Sequence, residues 1–128
     1  VLASFCNDRP DILSLSIIKN EYTMKEKSVS ELKSMMDNKE NFQLIDVREP
    51  NEAEICAIEG AILIPMNEVP DHIDEISKDK TVVVHCRSGA RSGRIVGYLE
   101  SQGFDNLYNL KGGILAWADE IDHSMAKY

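Results

Sequence analysis

Residues Thr81 to Glu100 read TVVVHCRSGARSGRIVGYLE. Thr81 to Val84 are β-branched, three of them apolar in succession, without the alternation of a half-exposed strand. A central parallel strand, buried on both faces, needs that pattern. Glycine and polar residues follow at once. A helical pattern then runs from about Arg91 to Gln102, with Gly103 placed to end it. The order sets Cys86 at the carboxyl end of a strand and beside the amino end of a helix.

Similar units flank this one. Ser28 followed by Glu31 forms a capping-box signal, and Val29, Leu32, Met35 and Met36 share one face of the helix it starts. Gln43 to Val47 is a short buried strand, and Gly60 to Pro65 another. Pro50 opens a short helix to Cys56, and Asn67 caps a helix expected to reach about Ile76. Asn106 to Leu110 is the last strand, Gly112-Gly113 a turn, and Ile114 to about Ile121 the last helix. Strands alternate with helices, which predicts an α/β fold of three layers: a central parallel sheet with helices on both faces. Residues 1–27 lack a sustained period and read as a linker or arm, with Ile12 to Ile18 as a strand or apolar strap. Residues 28–128 read as the domain.

The 128 residues suffice for one core, and a hydrophobic content of 43% suits a globular chain. A net charge of −8 repels nucleic-acid phosphates and anionic lipid, so neither is an expected partner. No apolar run is long enough to span a bilayer, and no signal-peptide pattern is present. A cytoplasmic location is expected. The first residue is Val1, not Met, which suggests a piece of a longer chain. The three cysteines, Cys6, Cys56 and Cys86, have neither disulfide-framework nor zinc-site spacing, so no metal is expected. From Lys80 to Leu99 there are four basic residues and no acidic one. This basic stretch coincides with the cysteine loop.

A thiol acts chemically as the thiolate, and three features of the loop favour that form. The following helix offers unpaired N–H groups and a positive dipole end. Gly89 allows successive N–H groups to turn inward as a nest. Arg87 and Arg91 add positive charge. The same features suit an anion beyond the sulfur. His85 resembles a general base, but neighbouring strand residues point to opposite faces, so its expected role is structural. Cysteine-dependent phosphatases place five residues between cysteine and arginine. Here Arg91 follows Cys86 with four between, and Ser92 stands where the phosphatase arginine would be. The tighter loop suits a persulfide sulfur better than a tetrahedral phosphate.

These residues resemble the rhodanese family of sulfurtransferases. The matching segments are Ile45 to Glu52 (IDVREPNE), Glu59 to Met66 (EGAILIPM), Val83 to Ser92 (VVHCRSGARS), Leu99 to Phe104 (LESQGF) and Leu110 to Trp117 (LKGGILAW). They occur in order over roughly residues 28 to 122. The resemblance implies that Cys86 takes sulfur from a donor, holds it as a persulfide and passes it on. It implies that Arg87, Ser88, Gly89, Ala90 and Arg91 form the cradle, with Asp46, Arg48 and Ser92 in support. Asp46 is expected to hold the loop by an ion pair or hydrogen bond. No cofactor is implied, because the persulfide is itself the group carrier. The family often has a histidine before the EGA-type segment; Ala57-Ile58 stand there instead.

Glu52 to Pro65 and Trp117 to Tyr128 resemble members fused to an adenylyltransferase of molybdopterin and thiamine biosynthesis. That likeness implies a fused or associated adenylyltransferase and a ubiquitin-like sulfur carrier protein, whose adenylated C-terminus would take the sulfur. A cysteine desulfurase is a possible donor. A stand-alone thiosulfate sulfurtransferase, a non-catalytic binding module of the same fold, and a phosphatase or arsenate reductase are the competing readings. Cys56 and Trp117 read as packing residues, as does Tyr128. Arg94 reads as a surface or ion-pairing residue, and Asp71 to Glu75 as a solvated helix face.

Overall fold

The computed structural model describes residues 24–128. Cys6 and the Ile12 to Ile18 segment lie outside the described residues. Among the described residues there are five strands and four α-helices: β1 (Glu26–Lys27), α1 (Val29–Asp37), β2 (Phe42–Asp46), α2 (Pro50–Ile55), β3 (Ile62–Leu63), β4 (Thr81–His85), α3 (Ala90–Ser101), β5 (Leu107–Leu110) and α4 (Gly113–Glu120). Every strand pair is parallel, in the order β1-β5-β4-β2-β3. The strand expected to be central is central. Glu26 and Lys27, read from sequence as the end of an arm, pair with Asn109 and Leu110 and so form one edge of the sheet.

Two apolar layers sandwich the sheet. Val82, Val84 and Cys86 pack with Ile95, Val96 and Leu99 of α3 on one face. Val83 packs on the other with Leu32 of α1 and with Ile114 and Trp117 of α4. Val82, Val83 and Val84 are wholly buried, each worth about 2 kcal/mol relative to exposure. The period-two alternation therefore carries Cys86 to the α3 face and turns His85 toward the other.

Ser28 caps α1 as expected. Its hydroxyl accepts from the Glu31 N–H at 3.0 Å, and Glu31 accepts from the Ser28 N–H at 2.8 Å. The helix expected from Asn67 to Ile76 is instead two 3₁₀ segments, Met66–Asp71 and Ile73–Glu75. Pro70, inside the first, has no N–H to give and clashes with an α-helical preceding turn, so an α-helix cannot continue there. The acidic residues Asp71, Asp74 and Glu75 are solvated, on these short turns instead of a helix face. The strand expected over Gly60 to Pro65 contracts to Ile62–Leu63, since only these residues pair with β2.

Register brings the functional positions together. Asp46 lies opposite His85, and Val84 opposite Asn109. The carboxyl ends of β2, β4 and β5 therefore meet at one edge of the sheet, where open parallel α/β sheets place their sites.

Candidate active site

β4 ends at His85 and α3 begins at Ala90, leaving a short turn that wraps the Cys86 sulfur. Gly89, at φ +110°, makes the turn possible; a side chain there would be strained. The Gly89 N–H points at Sγ from 3.1 Å, and the Ser92 N–H and hydroxyl from 3.4 Å each. Burial pushes the Cys86 thiol up, but the Ser92 hydroxyl and the amides of Ser92, Gly89 and Ser88 outweigh it and leave the thiol below its ordinary value. Of the arginines expected from sequence to share in this, Arg91 interacts with the sulfur by charge while its guanidinium hydrogen-bonds Glu52.

The last helix holds the turn from behind. The N–H groups of Ile114 and Leu115 donate to the carbonyls of Cys86 and Arg87 at 3.0 and 3.1 Å. This close approach requires Gly113, at φ +61°: a Cβ there would lie 2.4 Å from the Arg87 carbonyl oxygen. The glycine pair read as a turn is thus also the contact surface for the cysteine loop.

Asn109 is the residue that sequence reasoning missed. It is buried, its Nδ2 donates to the Gly89 carbonyl at 3.2 Å, and its Oδ1 accepts from the Ser92 hydroxyl at 2.5 Å. It braces from β5 two of the residues whose amides act on the sulfur, Gly89 and Ser92. Its signal in sequence is an asparagine near the end of the strand NLYNL, between Tyr108 and Leu110. Ser92 has one hydroxyl proton for two acceptors, Asn109 and the sulfur. Ionisation of Cys86 draws it to the sulfur. A Ser92→Ala change is therefore expected to move the pH profile of Cys86 alkylation by iodoacetamide upward by roughly one unit, the worth of one such hydrogen bond. An unshifted profile would show that the amides alone set the thiol.

Asp46 and Arg48 form a buried ion pair, with contacts of 2.7 to 3.1 Å between carboxylate and guanidinium. The hydrogen bonds to the Asp46 carboxylate come from Arg48, including its main-chain N–H at 3.0 Å. Asp46 holds Arg48, and not the cysteine loop as expected, because Arg48 fills the space at the strand end. Arg48 in turn donates to the carbonyls of Glu52 and Cys56 and to the Tyr128 hydroxyl. His85 is wholly buried, with Nδ1 3.3 Å from the Cys86 carbonyl oxygen. Burial lowers its pKa, so it is neutral near pH 7. It braces the strand end and does not contact the thiol. Ile58 is buried in the core and Ala57 is exposed where the family often has histidine.

Arg91 pairs with Glu52 through two bonds of 2.7 and 2.8 Å. Glu52 also accepts from the Tyr128 hydroxyl at 2.8 Å. Arg87 donates to the main-chain oxygen of Tyr128, and its guanidinium lies 5.0 Å from the centre of that ring. Tyr128, read as a packing residue, is thus also a hub of polar contacts beside the loop. Ser88, Ala90 and Arg94 are exposed. Cys56 is partly buried, its sulfur 3.9 Å from Arg48. Among the described residues, no cluster of His, Cys, Asp or Glu is arranged to hold a metal ion.

Fold and site together define a parallel α/β domain with one buried cysteine held in a tight cradle of amides at the strand ends. The chain belongs to the rhodanese family: the description "Rhodanese-like domain" matches residues 28–120. It is 42% identical over 87 residues to a sulfurtransferase of Allochromatium vinosum, covering 68% of this chain and 81% of that one. It is 35% identical over 100 residues to a probable adenylyltransferase/sulfurtransferase, MoeZ, of Mycobacterium tuberculosis, covering 77% of this chain and 26% of the relative. It spans 44% of a chloroplastic relative from Arabidopsis thaliana, a rhodanese-like/PpiC domain-containing protein, at 34% identity. The crystal structure of a rhodanese-like domain protein from Staphylococcus aureus superposes with a TM-score of 0.71 at 34% identity, covering 82% of this chain and 99% of that one. Among the described residues, no helix is long and apolar enough to cross a membrane.

Proposed function

We propose that this chain is a sulfurtransferase that carries sulfur as a persulfide on Cys86. One observation carries the reading: two amides and a hydroxyl converge on the Cys86 sulfur at 3.1 to 3.4 Å, within a loop one residue shorter than that of the cysteine-dependent phosphatases. The thiolate attacks the outer sulfur of a donor, a new S–S bond forms, and the donor's own S–S bond breaks, its inner sulfur leaving with the electron pair. Arg87, Ser88, Gly89, Ala90 and Arg91 form the cradle. The amides that stabilise the thiolate then face the negative persulfide. Asn109 positions the cradle directly, and Asp46 and Arg48 act on it through Glu52, the partner of Arg91.

The proposed acceptor is the adenylated C-terminus of a ubiquitin-like sulfur carrier protein, supplied by a fused or associated adenylyltransferase. The likeness to the probable adenylyltransferase/sulfurtransferase of M. tuberculosis supports that context, as does the likeness to a putative sulfur carrier protein of Bacillus subtilis. The terminal sulfur attacks the acyl carbon and AMP leaves. A thiol then cleaves the resulting acyl disulfide to a thiocarboxylate. A cysteine desulfurase would serve as donor, and a reducing compartment such as the cytoplasm would keep Cys86 free. The domain proposed to begin at residue 28 takes in the edge strand Glu26–Lys27 as well. The test supplies persulfidated protein with the adenylated carrier and a thiol, and weighs the carrier. One sulfur in place of one oxygen is expected; carrier of unchanged mass, with Cys86 still loaded, would exclude this acceptor.

A further inference from the structure

Arg87 and Arg91 are the charged side chains of the cysteine loop, and both are already engaged. Glu52 takes both ends of the Arg91 guanidinium at 2.7 and 2.8 Å. Tyr128 binds Glu52 through its hydroxyl at 2.8 Å, accepts from Arg48 at 3.1 Å, and holds Arg87 through its main-chain oxygen and ring face. Glu52 is fixed further by accepting from the Glu49 N–H at 3.0 Å. The Glu52 side chain is only 14% exposed, so water screens its pair with Arg91 weakly. The amides of Gly89 and Ser92, by contrast, face only the sulfur.

Donors of two kinds deliver the same sulfur but demand different things. Thiosulfate brings a sulfonate group, whose charge needs the arginines; it must displace Glu52 and Tyr128 to reach them. A persulfide on a thiol brings no oxyanion at the reacting atoms and needs only the amides. We propose that Glu52 and Tyr128 are specificity-determining residues, which hold the loop arginines and so select persulfide donors over oxyanion donors. This inference rests on the sulfur-transfer reading above. The steps balance in both cases. The Cys86 thiolate forms the new S–S bond, and the leaving group is sulfite from thiosulfate or a thiolate from the persulfide.

The test compares kcat and KM for thiosulfate and for glutathione persulfide, whose carboxylates are remote from the transferred sulfur, with cyanide as acceptor. Parent, Glu52→Gln and Tyr128→Phe chains are used. Gln keeps the oxygen that accepts the Glu49 N–H but removes the charge that holds Arg91. The ratio of kcat/KM for thiosulfate to that for glutathione persulfide is expected to rise about tenfold in Glu52→Gln, as for loss of one charge-assisted contact. The change should lie in the KM for thiosulfate. Tyr128→Phe should move the ratio the same way by about twofold to threefold, since it removes one hydroxyl donor from the Glu52 carboxylate and leaves the charge that holds Arg91 in place. It also carries the test if Glu52→Gln fails to fold by circular dichroism. A ratio unchanged in the folded variants, with sulfur still loaded on Cys86, would overturn this inference alone. Failure of the parent to load sulfur from either donor would overturn the transfer reading and this inference with it.

Discussion

A Cys86→Ser chain is expected to transfer no sulfur, its rate falling by more than about a thousandfold, while its melting temperature stays within about 3 °C of the parent. The two halves of that result have separate causes. Cys86 is 1% exposed and sits on the end of a layer that includes Val82 and Val84. A buried serine hydroxyl would normally be costly, but the Gly89 and Ser92 amides already point at that position and would satisfy it. The fold therefore tolerates the exchange. The chemistry does not, because an alkoxide is far harder to form than a thiolate and cannot hold a sulfane sulfur. Sulfur transfer by cyanide capture and thermal melting, measured on the same preparation, check both halves. Retained transfer would place the sulfur carrier elsewhere, and Cys56 would be the next thiol to test.

The second large effect concerns stability. Asp46→Asn is expected to destabilise the fold by about 4 kcal/mol, the usual consequence of leaving a buried charge without its partner. In a domain of this size that lowers the melting temperature by roughly 20 °C. Arg48 is wholly buried and stays charged, its pKa raised by Asp46 and Tyr128 despite the opposing effect of burial. With the carboxylate gone, only neutral oxygens at Glu52, Cys56 and Tyr128 would remain to it. The exposed pair Lys33–Asp37 is the contrast: its side chains are 47% and 59% exposed, and Asp37→Asn should cost no more than about 0.5 kcal/mol. Urea denaturation of the two variants measures the difference. The Asp46 effect should also reach the site, because Arg48 holds the chain from Glu52 to Cys56 and thereby the carboxylate that engages Arg91.

The sheet was legible because the buried strands leave little choice. Three successive valines read as a central strand, and the capping box at Ser28 read as a helix start. Elements settled by tertiary contact were less visible. Glu26 and Lys27 carry no strand signal and join the sheet only because β5 offers an edge. The segment after Asn67 has helical spacing but contains Pro70, which outweighs it. In the site, Cys86 and its glycine turn announced themselves, since their chemistry is local. The partners of the loop did not. Glu52 lies 39 residues from Arg91, and Tyr128 lies 76 residues from Glu52. The sequence places Arg87 and Arg91 beside the thiol, but the partners that hold them, Tyr128 and Glu52, come from distant positions. Asn109 was missed for the same reason: its function arises from the register of β5 against β4.

Intact-mass measurement of sulfur uptake probes the role of Cys86 most directly. The chain is incubated with glutathione persulfide, freed of excess donor and weighed beside Cys86→Ala. The mass should rise by one sulfur atom, fall back on addition of cyanide or dithiothreitol, and stay unchanged in the variant. Uptake of equal size in Cys86→Ala, or none in the parent with its thiol reduced and alkylatable, would rule out Cys86 as the sulfur carrier.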